Sequence, residues 1–150
     1  MVCSQDGVYW PLAPRINFTA WIALTPITFA SGRLCILPGS HTAWRDSEYA
    51  PVAPPASFGE ALPPAAVDAA SRVEFELQPG DAVFFDEAVV HASPPNFSQS
   101  NRLALALRMT SPEVKFDQEE CEARMPGLIK TLLLQGEDRY RLNDSMMWNG

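Results

Sequence analysis

Three residues of this chain have the types and spacing for metal and carboxylate chemistry. Asp6 stands in the opening segment Gln5-Asp6-Gly7-Val8-Tyr9-Trp10-Pro11. His91 stands in Val90-His91-Ala92-Ser93-Pro94-Pro95-Asn96, and Arg102 follows it by eleven residues. A carboxylate and imidazoles on one face hold Fe(II) and leave positions open for oxygen and a bidentate co-substrate. An arginine fork then fits the far carboxylate of that co-substrate. Each residue also has a plainer reading. Asp6 could shape a turn, His91 could be a satisfied core histidine, and Arg102 could be an ordinary strand arginine. Arg102, however, opens an apolar run, where an unpaired guanidinium is costly. A carboxylate partner is therefore expected for it, from ligand or protein.

The elements that must position these residues read mostly as short strands. Fourteen prolines and eight glycines leave little room for long helices in the first two thirds of the chain. Phe18 to Leu24, which holds Trp21, is rich in aromatic and branched residues. Arg33 to Leu37 ends at the turn Pro38-Gly39-Ser40. Val73 to Leu77 alternates apolar and acidic residues, the period of a half-buried strand. Pro79-Gly80-Asp81 turns into the apolar run Ala82 to Phe85. Val89 to Ala92 and Asn101 to Met109 follow, the latter with Leu103, Leu105 and Leu107 on one face. Residues 42–72 form a long Pro/Ala-rich surface insertion, with a short helix expected at Ala65 to Ser71. Residues 112–150 read as a peripheral tail, with a short helix expected over Met125 to Leu134. Six or seven strands with Pro/Gly turns predict an all-β-dominated sandwich or jelly roll, one or two strands short at the amino terminus.

Six segments in order carry a resemblance: Gln5 to Pro11, Ala20 to Leu24, Gly32 to His41, Pro79 to Phe85, Val90 to Asn96 and Asn101 to Leu105. Together they make the chain similar to the phytanoyl-CoA dioxygenase family of Fe(II)/2-oxoglutarate-dependent oxygenases. The resemblance implies a double-stranded β-helix with iron at one end of the barrel. It implies Asp6 and His91 as metal ligands, and Arg102 as the anchor of the 2-oxoglutarate carboxylate. It also implies Ser93 as a support for that carboxylate, Trp21 as a wall of the co-substrate pocket, Tyr9 near the site, and Gly32 and Pro38-Gly39 as turn-shaping positions. The implied activity is hydroxylation of a small organic substrate.

Two departures stand beside the match. The family's first ligand pair is H-x-D, and here it reads Ser4-Gln5-Asp6. A serine hydroxyl is a poor ligand for Fe(II). The other histidine, His41, follows a turn and is a weak candidate to replace it. Cys3, beside Ser4, is expected to point away from the Asp6 side of a strand. Second, only three residues precede Ser4, where family members carry a substantial segment. An exposed sheet edge is expected, open to self-association or to a partner.

Composition bounds the alternatives. The 150 residues fit a single jelly-roll oxygenase-like domain, 1–150, and are 47% hydrophobic and 19% charged. A net charge of −7, with Lys115 and Lys130 the two lysines, argues against nucleic acid and anionic lipid as partners. No apolar run is long enough for a membrane span, and no signal peptide is read. Cys3, Cys35 and Cys121 form no zinc pair or disulfide framework, so a cytoplasmic setting is expected. The leading expectation is an Fe(II)/2-oxoglutarate dioxygenase. The alternative is a catalytically impaired fragment or pseudoenzyme that binds a small molecule or a protein. A third is a cupin-like metal enzyme without 2-oxoglutarate.

Overall fold

The computed structural model describes residues 2–53, 59–124 and 131–141. In chain order the strands are β1 (Leu12–Ala13), β2 (Phe18–Ala23), β3 (Leu34–Ile36), β4 (Ala50–Pro51), β5 (Glu60–Ala61), β6 (Val73–Phe75), β7 (Ala82–Asp86), β8 (His91–Ala92), β9 (Ala104–Met109) and β10 (Lys115–Phe116). Two antiparallel three-stranded sheets, ordered β7-β2-β9 and β6-β3-β8, form the body of the fold. β1 pairs with β10, and β4 with β5. This is the expected jelly roll.

Strand alternation decides what faces inward. In β2, Thr19 lies between Phe85 of β7 and Arg108 of β9, and Trp21 lies between Val83 and Ala106. These positions share the inner face, because side chains alternate along a strand. Ala23, Val83 and Phe85 of the first sheet meet Leu34 of the second, together with Ile27, Leu77 and Val89. Trp21, Ile36 and Phe75 pack on this cluster. A second cluster joins Cys3, Leu62, Val90 and Ala92. On the outer face of the first sheet, Phe84, Leu105 and Leu107 are exposed.

The chain departs from the sequence expectations at several ends. The last long strand begins at Ala104 rather than Asn101, and the alternating run from Val73 stops as a strand at Phe75. Leu77 instead makes an isolated bridge with Ile27. The insertion contains the β4–β5 pair, and its expected helix is two 3-10 turns, Pro64–Ala66 and Ala69–Ser71. Alanine favours helix, but Pro63 and Pro64 fix the entry, and Asp68 caps the second turn by accepting a hydrogen bond from the Ala70 amide. The tail helix is not at 131–134, which is irregular, and residues 125–130 lie outside the described residues. Helix α1 covers Gln118–Arg124. Its start is signalled by Asp117, whose Oδ1 accepts from the Glu120 amide at 2.9 Å, and by Glu119 and Glu120 in the first turn.

Gly32 shows how tightly two segments are joined. Its φ is +86°, and a Cβ there would overlap the carbonyl oxygen of Pro94. The sequence expectation of a turn-shaping glycine holds for a stronger reason than the turn alone. Gly32→Ala is expected to lower stability by about 2 kcal/mol or more, from left-handed backbone strain and a backbone overlap together. A lowered urea midpoint at unchanged m value would show it; an unchanged midpoint would contradict the close approach.

Candidate metal centre

The segment Ser4–Asp6 is fixed by hydrogen bonds to distant parts of the chain. Ser4 and His91 exchange both backbone hydrogen bonds, Ser4 N to His91 O at 3.0 Å and His91 N to Ser4 O at 2.9 Å. Residues paired this way project their side chains to the same face. Gln5 is fully buried. Its Nε2 donates to the carbonyls of Ala43 (2.9 Å) and Ala88 (2.6 Å), its Oε1 accepts from the Arg45 amide (3.1 Å), and its own amide donates to the Tyr49 hydroxyl (2.6 Å). The Gly7 amide donates to the Glu87 carbonyl. The chain then turns in a 3-10 helix over Asp6–Val8. Asp6 is thus placed by a turn and not by a continuing strand. Cys3 points the other way, into the Leu62 cluster, as expected.

Asp6 is 2% exposed. Its Oδ2 accepts from the Thr19 hydroxyl at 2.8 Å. Its Oδ1 lies 3.5 Å from His91 Nε2 and 3.2 Å from an Arg108 nitrogen. Burial alone would raise this carboxyl's pKa. The hydrogen bond and charge of His91, the Arg108 charge and the Thr19 bond outweigh it and hold the group well below the usual carboxylate range. His91 Nδ1 lies 2.9 Å from the Val89 carbonyl. A proton on Nδ1 satisfies that carbonyl and leaves Nε2 as the ring atom toward Asp6: protonated it donates to Oδ1, and deprotonated it is the nitrogen a metal would take. Phe85 packs on the imidazole with ring centroids 4.8 Å apart.

The sequence candidates fall into two groups. Asp6 and His91 come together. Arg102 lies elsewhere, donating to the Gly32 carbonyl at 2.7 Å; among the described residues it has no ion pair. Ser93 and Trp21 are half-buried. Tyr9 is buried beside the segment, and its hydroxyl donates to the Glu60 carbonyl at 2.9 Å. His41 is exposed in the 3-10 turn Ser40–Thr42. Among the described residues no three His, Cys, Asp or Glu side chains group to hold a metal. Asp6 and His91 bring two of the donor types that Fe(II) takes side by side, and Ser4 stands on the same face as His91.

Four residues of this region were not singled out from sequence: Gln5, Thr19, Glu87 and Arg108. Arg108 had a signal, its even spacing from Arg102. In register with Thr19, it reaches Asp6 directly. Glu87 is 1% exposed, and neither carboxyl oxygen has a hydrogen-bond partner among the described residues. Burial, helped by the neighbouring Asp86 charge, pushes its pKa up to about 7.

Two facing antiparallel sheets with a carboxylate and an imidazole converging between them define a double-stranded β-helix of the non-haem oxygenase type. The sequence model of the phytanoyl-CoA dioxygenase (PhyH) family matches residues 1–104. The chain belongs to that family. It is similar to 1-deoxypentalenic acid 11-beta-hydroxylase of Streptomyces arenae, 36% identical over 99 residues, which are 63% of this chain and 34% of that one. A probable phytanoyl-CoA dioxygenase of Caenorhabditis elegans is 26% identical over 120 residues, 73% of this chain and 36% of that one. Among solved structures, EvdO2 from Micromonospora carbonacea var. aurantiaca, complexed with 2-oxoglutarate, is 27% identical with a TM-score of 0.60, covering 71% of this chain and 43% of that one. The nickel complex of ThoJ, a non-heme monooxygenase, is 26% identical with a TM-score of 0.54, covering 76% and 38%. The chain spans a little over a third of the length of the curated relatives it matches. Among the described residues no helix is long and apolar enough to cross a membrane.

Two outcomes test this geometry. Thr19→Val keeps the shape and removes the hydroxyl that donates to Asp6 Oδ2. It is expected to cost about 1–3 kcal/mol in urea denaturation at pH 7, the range for a buried charged group losing a partner. For Glu87 the folded pKa, about 7, lies above its ordinary 4.5. The folded state then holds the proton that the unfolded state has lost, so its contribution to stability falls as pH rises through that window. Glu87→Gln is expected to flatten this slope and to be more stable than wild type at pH 8. Parallel stability–pH curves for the two proteins would contradict it.

Proposed function

We propose that this chain carries the metal and co-substrate face of an Fe(II)/2-oxoglutarate-dependent oxygenase that hydroxylates a small organic substrate. The observation that carries the reading is the approach of His91 Nε2 to Asp6 Oδ1 at 3.5 Å, with His91 Nδ1 committed to Val89 and Asp6 Oδ2 to Thr19. Asp6 Oδ1 and His91 Nε2 are thereby left facing one another, with Arg108 also on Oδ1. Asp6 and His91 would hold the iron. Arg102, without an ion pair among the described residues, would take the far carboxylate of 2-oxoglutarate, supported by Ser93, with Trp21 as a wall. Iron held there supplies oxygen activation coupled to oxidative decarboxylation of 2-oxoglutarate.

The chain's own residues have definite tasks in this reading. Val89 fixes the histidine tautomer, and Phe85 fixes the ring plane. Thr19 sets which Asp6 oxygen faces the metal. The Gly32 carbonyl, by holding one Arg102 nitrogen, orients the remaining guanidinium edge toward an incoming carboxylate. The second reading is a catalytically impaired binding module, open to self-association at the β9 edge. It is favoured by Ser4, which leaves the metal two protein ligands.

Anaerobic titration with Fe(II) and 2-oxoglutarate separates the readings through the visible charge-transfer band of their complex. The first predicts a band in the wild type. Ser4→His is expected to raise iron affinity by at least roughly tenfold, since outer partners of metal ligands alone are worth that much. A band that appears only in Ser4→His would place the wild type with the binding modules. A band in neither would remove the metal centre. Protection against thermal unfolding by metal but not by 2-oxoglutarate would favour a cupin-like site.

A further inference from the structure

Arg108 sits where two demands conflict. Its guanidinium touches Asp6 Oδ1, the same oxygen that faces His91 Nε2, and not Oδ2, which Thr19 holds. A divalent cation shared by Oδ1 and Nε2 would stand beside that guanidinium. Two like charges at that distance repel, most strongly where water is scarce. Arg108 thus shares with His91 the offsetting of the Asp6 charge while no metal does, and it has to yield when one arrives.

The side chain has somewhere to go. It is 31% exposed, against 3% for Asp6. It lies over the Trp10 ring, 5.2 Å from the centroid. Trp10 and Arg108 both line a cavity of about 850 Å³. Its walls include Leu12, Ala106, Val114 and Phe116, with Arg108 the basic and Asp138 the acidic side chain among its lining residues. Swinging off Asp6 while keeping the indole contact turns the guanidinium toward this space. A cation freed from its carboxylate on an apolar wall selects a ligand with an apolar body and one acidic group.

We propose that Arg108 is an exchangeable counter-ion. It pairs with Asp6 in the metal-free protein, is displaced by metal, and then pairs with the carboxylate of an amphipathic acid bound in the Trp10 cavity. The proposal deepens the functional reading above and rests on it. Metal and acid are coupled through one guanidinium, so each tightens the other by the same factor.

The full chain is titrated calorimetrically with Mn(II), and with decanoate or decan-1-ol in the presence and absence of Mn(II). Wild type is expected to bind decanoate at least about fivefold more tightly with Mn(II) than without, and decan-1-ol with no such gain. Arg108→Gln is expected to bind Mn(II) at least about fivefold more tightly than wild type, because no guanidinium has to leave, and to lose the metal dependence of decanoate binding. Equal Mn(II) affinity in wild type and Arg108→Gln overturns the proposal, as does equal metal dependence for acid and alcohol. The wild-type comparison needs no variant, so a poorly folded Arg108→Gln leaves the test intact. Mn(II) binding without coupling sinks the role of Arg108 alone. No Mn(II) binding by wild type or by Ser4→His sinks the metal centre, and this inference with it.

Discussion

The structure depends on keeping a charge on Asp6 inside the protein. An isolated buried carboxylate would take up a proton. Here an imidazole, a guanidinium and a hydroxyl surround it, each delivered by a different segment. His91 comes from β8 in one sheet, and Thr19 and Arg108 come from adjacent strands of the other. The seam between the sheets is therefore closed by charge as well as by the apolar cluster of Ala23, Leu34, Val83 and Phe85.

Glu87 shows the opposite solution to the same problem a few residues from His91. It is as deeply buried as Asp6 but lacks hydrogen-bond partners on its carboxyl oxygens among the described residues. It keeps its proton to near neutrality. Two carboxyls on either side of Gly7 thus differ in charge because of what surrounds them, not because of their chemistry. Gly7 leaves room for Glu87 and for Trp44. A Cβ there would stand 2.8 Å from Glu87 Oε2 and would overlap the Trp44 ring.

Much of this was legible in the residues. The Val73 to Phe75 alternation, the Pro79-Gly80-Asp81 turn and the apolar run after it gave their strands, because period and turn chemistry are local. The order of six short segments gave the family and paired Asp6 with His91. The rest depended on distant register. Thr19 looks like an ordinary strand threonine until β2 is set against β9, where it faces Arg108. The parity of Arg102 and Arg108 was visible. Which of them meets Asp6 was not, because β9 begins only at Ala104. Helix α1 was not expected, because the acidic run offers little apolar periodicity beside its Asp117 start signal.

Gln5 has a consequence for how this architecture can vary. It grips the start of the long insertion through the Ala43 carbonyl and the Arg45 amide, and the turn before β8 through the Ala88 carbonyl. All three contacts are to main-chain atoms, which every amino acid presents alike. Two side chains of the insertion add to this root: the Tyr49 hydroxyl accepts from the Gln5 amide, and Leu62 packs with Cys3. The positions between these anchors can be rewritten while the root stays beside Asp6 and His91. A fold wired in this way can change what it recognises without renegotiating where its chemistry sits.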